Sequence, residues 1–158
     1  MRMFVDSLLV PECIYRPGTF TGLMSLYESN FIKLRSLAAD LDWPADAIVS
    51  VSTRDQALHA EVLRREPYTT TLRLTYWFDD AGIAVPEPDL VLRVYHDARL
   101  VEAVSSAEPH RHAKLREWTR AGRTELDRRW RGNMFLNKWL DYLFEVGHSL
   151  DGGGATLS

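Results

Sequence analysis

Apolar residues in this chain recur first at helical spacing, then at every second position, then at helical spacing again, and few folds accommodate that order. In the segment from Thr19 to Asp42, Leu23, Tyr27, Asn30, Leu34, Leu37 and Leu41 fall on one stripe at steps of three and four. Thr19 or Thr21 is the expected N-cap. Trp43-Pro44 is the expected end, because the residue before a proline avoids helical backbone angles. Asn30 is the polar member of the stripe and is expected to bond backbone inside the core. After Pro44 the period becomes two. Strands are expected at 48–52, 58–64, 69–78, 89–96 and 99–106, with turn chemistry in "DDAG" (79–82) and "PEP" (86–88). Thr124 and Asp127 resemble a capping box, and a helix is expected from there to about 144 or 146. Its stripe is Leu126, Trp130, Phe135, Leu136, Trp139, Leu140 and Leu143, with Gly132 as a weak point and Gly147 as C-cap. The fold class is therefore α+β: a five-stranded antiparallel sheet flanked by an N-terminal and a C-terminal helix.

Length bounds this to one domain. Residues 1–18 read as a loosely ordered N-terminal arm, 19–148 as the α+β domain and 149–158 as a flexible tail. Cys13 is the sole cysteine, which excludes an internal disulfide and any multi-cysteine zinc site. The first residues carry no signal-peptide pattern and no apolar run reaches membrane-spanning length, so a cytoplasmic protein is expected. A net charge of −3 points to neither a polyanion nor a membrane surface as partner of the whole chain.

The stretch "RVYHDARLVEA" (93–103) is the most chemically dense part of the sequence. A hairpin turning at Asp97-Ala98 sets Tyr95 opposite Leu100, Arg93 opposite Glu102 and Val91 opposite Val104. Leu90, Leu92, Val94, Val101 and Ala103 then form the core side, and Arg93 and Glu102 become a cross-strand ion pair on the other. The same parity gathers His59, Glu61, Arg73, Thr75, Trp77, Arg93, Tyr95 and Glu102 on one face. A solvated sheet face accounts for the charges. Trp77 and Tyr95 among arginines are also what a planar anionic ligand requires, through stacking and forked contacts to phosphate.

Several segments carry a family resemblance: "LYESNFIKLRSL" in the first helix, "YTT" at 68–70, "LRVYHDARLVEAVSS" at 92–106, and "NMFLNKWLDY" followed by Gly147. Through them the chain resembles the YqiB family of small proteobacterial proteins, a domain of unknown function, over about residues 20–148. The resemblance brings no activity, substrate or catalytic residue. Genes of that family lie near those of nucleotide-hydrolysing enzymes, an association that slightly favours a nucleotide-like ligand.

Other chemistry is thinner. His110 and His112, with His96, Asp97 and Glu102 as co-ligands, form the only metal-like grouping, and no ligand motif supports it, so no metal or other cofactor is expected. His96 and Asp97 are neighbours on a strand and point apart unless the turn bends them together. No serine or cysteine elbow and no phosphate-binding glycine loop is present. Between 110 and 131, eight basic residues (Arg111, Lys114, Arg116, Arg120, Arg123, Arg128, Arg129 and Arg131) face Glu117, Glu125 and Asp127, with Trp118 and Trp130 interleaved. Such a segment suits docking to an acidic partner; nucleic acid is the less favoured partner. The expected function is a non-enzymatic binding or regulatory domain for a small anionic ligand, a nucleotide being one such, held by Arg73, Trp77, Arg93, Tyr95 and Glu102. The alternative is a protein-interaction adaptor using 110–131 and the C-terminal helix. The third is a metal-assisted hydrolase.

Overall fold

Two helices lie side by side on one face of a five-stranded antiparallel meander. The computed structural model describes residues 19–39, 41, 43, 45–104 and 125–151. Cys13, Thr124, His110, His112 and the basic residues from Arg111 to Arg123 lie outside the described residues. Helix α1 spans Phe20–Leu37; strands β1 (Ala47–Ser52), β2 (Asp55–Glu66), β3 (Thr69–Asp80), β4 (Ile83–Tyr95) and β5 (Leu100–Val104) follow, then helix α2 (Glu125–Glu145). The strands pair in chain order, leaving β1 and β5 as the edges. The expected fold class is borne out.

The stripe read from α1 is the buried one: Leu23, Tyr27, Asn30, Leu34, Leu37 and Leu41 are all buried. Thr19 is the N-cap, its Oγ1 accepting from the Gly22 N–H at 3.0 Å. The helix stops earlier than Trp43-Pro44 implies, because the C-terminal segment takes over its end. Ala38 is extended, the Leu37 carbonyl accepts from Leu150 N–H at 2.7 Å, and Ala39 N–H donates to Asp151 Oδ1 at 2.8 Å. Of residues 149–158, which the sequence assigned to a flexible tail, Leu150 lies in the core and the exposed Asp151 is tied to Ala39, while 152–158 lie outside the described residues. Leu34 and Leu37 of α1 meet Leu58, Leu72, Leu74 and Leu92 of the sheet and Leu136, Leu140 and Leu143 of α2. Each such side chain contributes about 1.5–3 kcal/mol on burial. Asn30 bonds Asn133 and Asn137 while Lys33 bonds Asn137 and Asp141, so the two helices run in the same direction.

Helix α2 ends at Gly147, as its sequence implies. Gly147 has φ +91°, its N–H bonds the Phe144 carbonyl at 3.1 Å, and His148 N–H bonds the Leu143 carbonyl at 3.0 Å. That pair of bonds is the Schellman arrangement. A Cβ at Gly147 would meet only Ser52 Oγ at 3.9 Å. Gly147→Ala is therefore expected to cost about 1–2 kcal/mol by backbone conformation alone, read by urea unfolding.

Strand β4 begins before the expected 89. A two-residue turn at Ala81 and Gly82, both at positive φ, closes the β3–β4 hairpin, with Gly82 N–H on Asp79 Oδ1 at 3.0 Å. "PEP" lies within β4 rather than in a turn. Pro86 stands opposite Trp77, and the ladder slips between Thr75 and Trp77, so the prolines fall where regular pairing is interrupted. No described helix is long and apolar enough to cross a membrane.

Candidate functional site

The β4–β5 hairpin adopts the expected register: Tyr95 opposite Leu100, Arg93 opposite Glu102, Val91 opposite Val104. Leu92, Val94 and Val101 face the helices and are fully buried. The loop is His96–Arg99, with Arg99 at positive φ. His96 is spent on structure: its Nε2 lies 2.8 Å from Thr70 Oγ1 and its N–H bonds the Tyr68 carbonyl at 3.0 Å.

Arg93 and Glu102 stand opposite each other, yet the ion pair read from the sequence does not form between them. Glu102 belongs to an edge strand, and groups from the helices reach it around that edge. Tyr95 donates to its Oε1 at 2.5 Å, Tyr27 of α1 donates to Oε2 at 3.4 Å, and Arg129 of α2 approaches Oε2 at 3.6 Å. Both phenols are held above the ordinary tyrosine range, first by burial and then by the Glu102 charge, so they remain neutral donors. Arg93 lies beside Tyr95 on β4, and that phenol, with the Glu102 and Glu66 charges at longer range, holds its guanidinium above the ordinary arginine value.

Around Glu102 opens a cleft of about 580 Å³ between the hairpin and the first turns of both helices. Phe20, Leu23 and Met24 of α1, Leu100 of β5 and Leu126 of α2 give it apolar walls; Tyr27, Tyr95, Glu102, Glu125 and Arg129 supply polar groups. This volume lies within the usual range for small-molecule sites. Arg129 is half exposed and also bonds Glu125 Oε2 at 3.0 Å. Arg128 bonds the other oxygen of Glu125, so one carboxylate occupies two of the arginines in the expected docking segment.

Of the five residues expected to hold ligand, Tyr95 and Glu102 line the cleft, with Arg93 beside Tyr95. Arg73 and Trp77 form a separate cluster on the face away from the helices. Arg73 grips Asp89 with two bonds of 2.7 and 2.9 Å, Thr75 adds a third to Asp89 at 2.9 Å, and the guanidinium lies 5.5 Å over the Trp77 ring. Burial works against the Asp89 charge, but the bonds from Arg73 and Thr75 more than offset it and hold its carboxyl below the usual aspartate range. His59 stands opposite Thr75, and Glu61 stands opposite Arg73. The parity reading placed these side chains correctly; it did not show that Arg73 already has its carboxylate.

Two further clusters escaped the sequence. Asn133, Asn137 and Asn30 form a buried amide chain along the helix–helix seam, and it closes the outer edge of β5. Asn30 Nδ2 donates to the Val101 carbonyl at 3.2 Å and Asn133 Oδ1 accepts from Ala103 N–H at 2.7 Å. The expectation that Asn30 bonds backbone inside the core is met. The second cluster is serine, histidine and aspartate in a row. His148 Nδ1 lies 2.9 Å from Ser50 Oγ and its Nε2 lies 2.9 Å from Asp55 Oδ2, with Tyr76 also donating to Asp55. Ser50 and His148 are both buried, and Ser50 Oγ also accepts Ser149 N–H at 3.0 Å, so the hydroxyl is enclosed by the C-terminal segment it anchors. That makes the row a structural clasp rather than an exposed nucleophile.

Among the described residues no group of three or more metal-binding side chains comes together. No solved structure matches the chain. The uncharacterised YqiB proteins of three Escherichia coli strains, K12, O6:H1 and O157:H7, are each 27% identical over 140 residues, covering 84% of this chain and 93% of theirs. The pattern of one family, described as a protein of unknown function (DUF1249), matches residues 33–149. That span takes in the last five residues of α1, the whole sheet and all of α2, and it bears out the resemblance read from the hairpin and helix motifs: the chain belongs to the DUF1249 family of proteins of unknown function.

Proposed function

We propose that this protein is a non-enzymatic binding domain that holds a small anionic ligand with an apolar portion in the cleft beside β5. The observation that carries this reading is the cleft itself, where an apolar wall meets two neutral phenols, one enclosed carboxylate and a half-exposed arginine. Arg129 is the cation available to such a ligand. Its pairs are partly solvated and worth about 0–1 kcal/mol each, so exchanging Glu125 for a ligand anion costs little. Arg73 is unsuited to that role, because a ligand would have to displace a two-bond grip on the shielded Asp89. The ligand-contacting set is accordingly Tyr27, Tyr95, Glu102 and Arg129, with Arg93 lending charge from behind Tyr95. Apolar and aromatic walls beside a cation suit a nucleotide, whose base and phosphate call for both.

The test is mass spectrometry of small molecules released on denaturing the purified protein, followed by thermal-shift titration with a nucleotide panel. Arg129→Ala is expected to weaken binding at least tenfold while moving the unliganded melting point little. Glu125→Gln releases Arg129 and removes a negative charge, so it is expected to tighten binding several-fold. Affinity that instead falls in Glu125→Gln and rises in Arg129→Ala would identify a cationic ligand and overturn the reading.

A further inference from the structure

The two edges of the sheet are finished differently. At β5 the outward-pointing Val101 carbonyl and Ala103 N–H are taken by Asn30 and Asn133, and the helices pack over that edge. At β1 the bond from Val62 N–H to the Asp46 carbonyl fixes which residues face β2. By the alternation of an antiparallel ladder, Ile48 and Ser50 bond inward to Ala60 and Leu58, and Ala47 and Val49 present their N–H and C=O groups outward; the ladder shifts register between Ser50 and Ser52, where β2 supplies the extra residue, and β1 itself keeps its alternation through Val51. No side chain or backbone group bonds those outward groups among the described residues. Val49 is 38% exposed and Val51 77% exposed, on the face away from the helices. The strand, "AIVSVS", carries neither a charge nor a proline, two of the devices that keep edges from pairing.

We infer that β1 is a dimerisation edge, pairing antiparallel with β1 of a second copy of this chain to join two sheets into one of ten strands. An open edge admits only another extended strand, and the pattern of this one is self-complementary. Three outward-facing residues centred on Val49 place the two-fold axis at that residue. Val49 then pairs with Val49 of the second copy, and Ala47 with Val51 in both directions. All three outward N–H groups and all three outward C=O groups of each copy are satisfied in this register. The facing side chains are small or β-branched and uncharged, which suits cross-strand pairing and sets no like charges against each other. The apolar side chains of the two strands form one stripe on the open face. The inference stands apart from the ligand reading, because β1 lies at the opposite edge of the sheet from the cleft.

Sedimentation velocity over a concentration series, with the full chain, is the first measurement: a reversible monomer–dimer equilibrium is expected. Val49→Lys sets two ammonium groups opposite each other at the axis. It is expected to raise the dissociation constant at least about tenfold, more at low salt, with an unchanged circular dichroism spectrum. Register is read by cysteine cross-linking in a Cys13→Ser background. A directly opposed pair has its Cα atoms about 5.5 Å apart, within disulfide reach. Val49→Cys is therefore expected to give a disulfide-linked dimer on mild oxidation, and Val51→Cys, offset from its own copy, is not. A chain that stays monomeric at the highest concentrations overturns the inference. So does a dimer untouched by Val49→Lys, or cross-linking at 51 as efficient as at 49.

Discussion

Replacing Asn133 by leucine is expected to destabilise the fold by about 3–4 kcal/mol, although the two side chains are similar in volume and the site is buried. The amide serves three partners. Its Oδ1 accepts from Ala103 N–H at 2.7 Å and from Asn30 Nδ2 at 3.2 Å, and its Nδ2 donates to the Arg129 carbonyl at 2.9 Å. Leucine removes the acceptor and leaves an edge-strand N–H without a partner under the helices. A buried donor left unmade costs about 1–3 kcal/mol, more than a made bond contributes. Asn30→Leu is expected to cost a similar amount, since it strands the Val101 carbonyl and removes one of the two acceptors of Asn137 Nδ2, which keeps Ser29 Oγ at 2.9 Å. The double variant is expected to lose less than the sum, because the Asn30–Asn133 bond is lost in each single change and counted once in the double. Urea unfolding of the three variants measures this coupling; strict additivity would show that the seam is not a connected network.

That network marks the limit of what the sequence shows. The stripe on α1 and the alternation in β2 to β5 state which side chains face the core, because period and burial are local properties. They yielded the antiparallel sheet, the hairpin register and the burial of Asn30. Partner identity is not local. Arg93 and Glu102 stand opposite each other as parity requires, yet Glu102 is claimed by Tyr27 and Arg129, which are 75 and 27 positions away. In the sequence Tyr27 is a core stripe residue and Arg129 one member of a basic segment; neither carries a mark of the other. Asn133 and Asn137, spaced as i and i+4 on α2, were the readable sign that a polar strip lay opposite Asn30. The end of α1 at Leu37 and the docking of Leu150 depend on two segments more than 100 residues apart, and no local signal connects them. The prolines of "PEP" read as a break because a regular ladder excludes them, and the slip at Thr75 that accommodates them appears only once β3 and β4 are paired.

Replacing Asp55 by asparagine is expected to cost about 3 kcal/mol near neutral pH, with the loss shrinking as the solution is acidified. Asp55 opens β2 and ties three elements together: Tyr76 of β3 donates to its Oδ2, His148 Nε2 lies 2.9 Å from the same oxygen, and Tyr142 of α2 donates to Oδ1 at 3.5 Å. Its side chain is shielded from solvent, so these bonds are to an enclosed carboxylate and carry more than exposed ones would. Burial works against its ionisation, but the bonds from Tyr76 and His148 outweigh that and set its carboxyl below the ordinary aspartate value. A carboxyl depressed in the native state binds its proton more readily when unfolded. The stability it contributes is complete above the unfolded value of about 3.9 and is lost as pH falls through the lower native value. Asp89 and Glu125 are depressed as well, but they are common to both proteins and cancel in the difference between wild type and Asp55→Asn. The measurement is that difference, from chemical unfolding at several pH values between about 7 and 3. A difference that narrows toward the acid end identifies the carboxylate charge as what holds His148, and with it the C-terminal segment, against β1 and β2. A difference constant across the range would mean that asparagine fails for its shape alone, and the clasp would then owe nothing to ionisation.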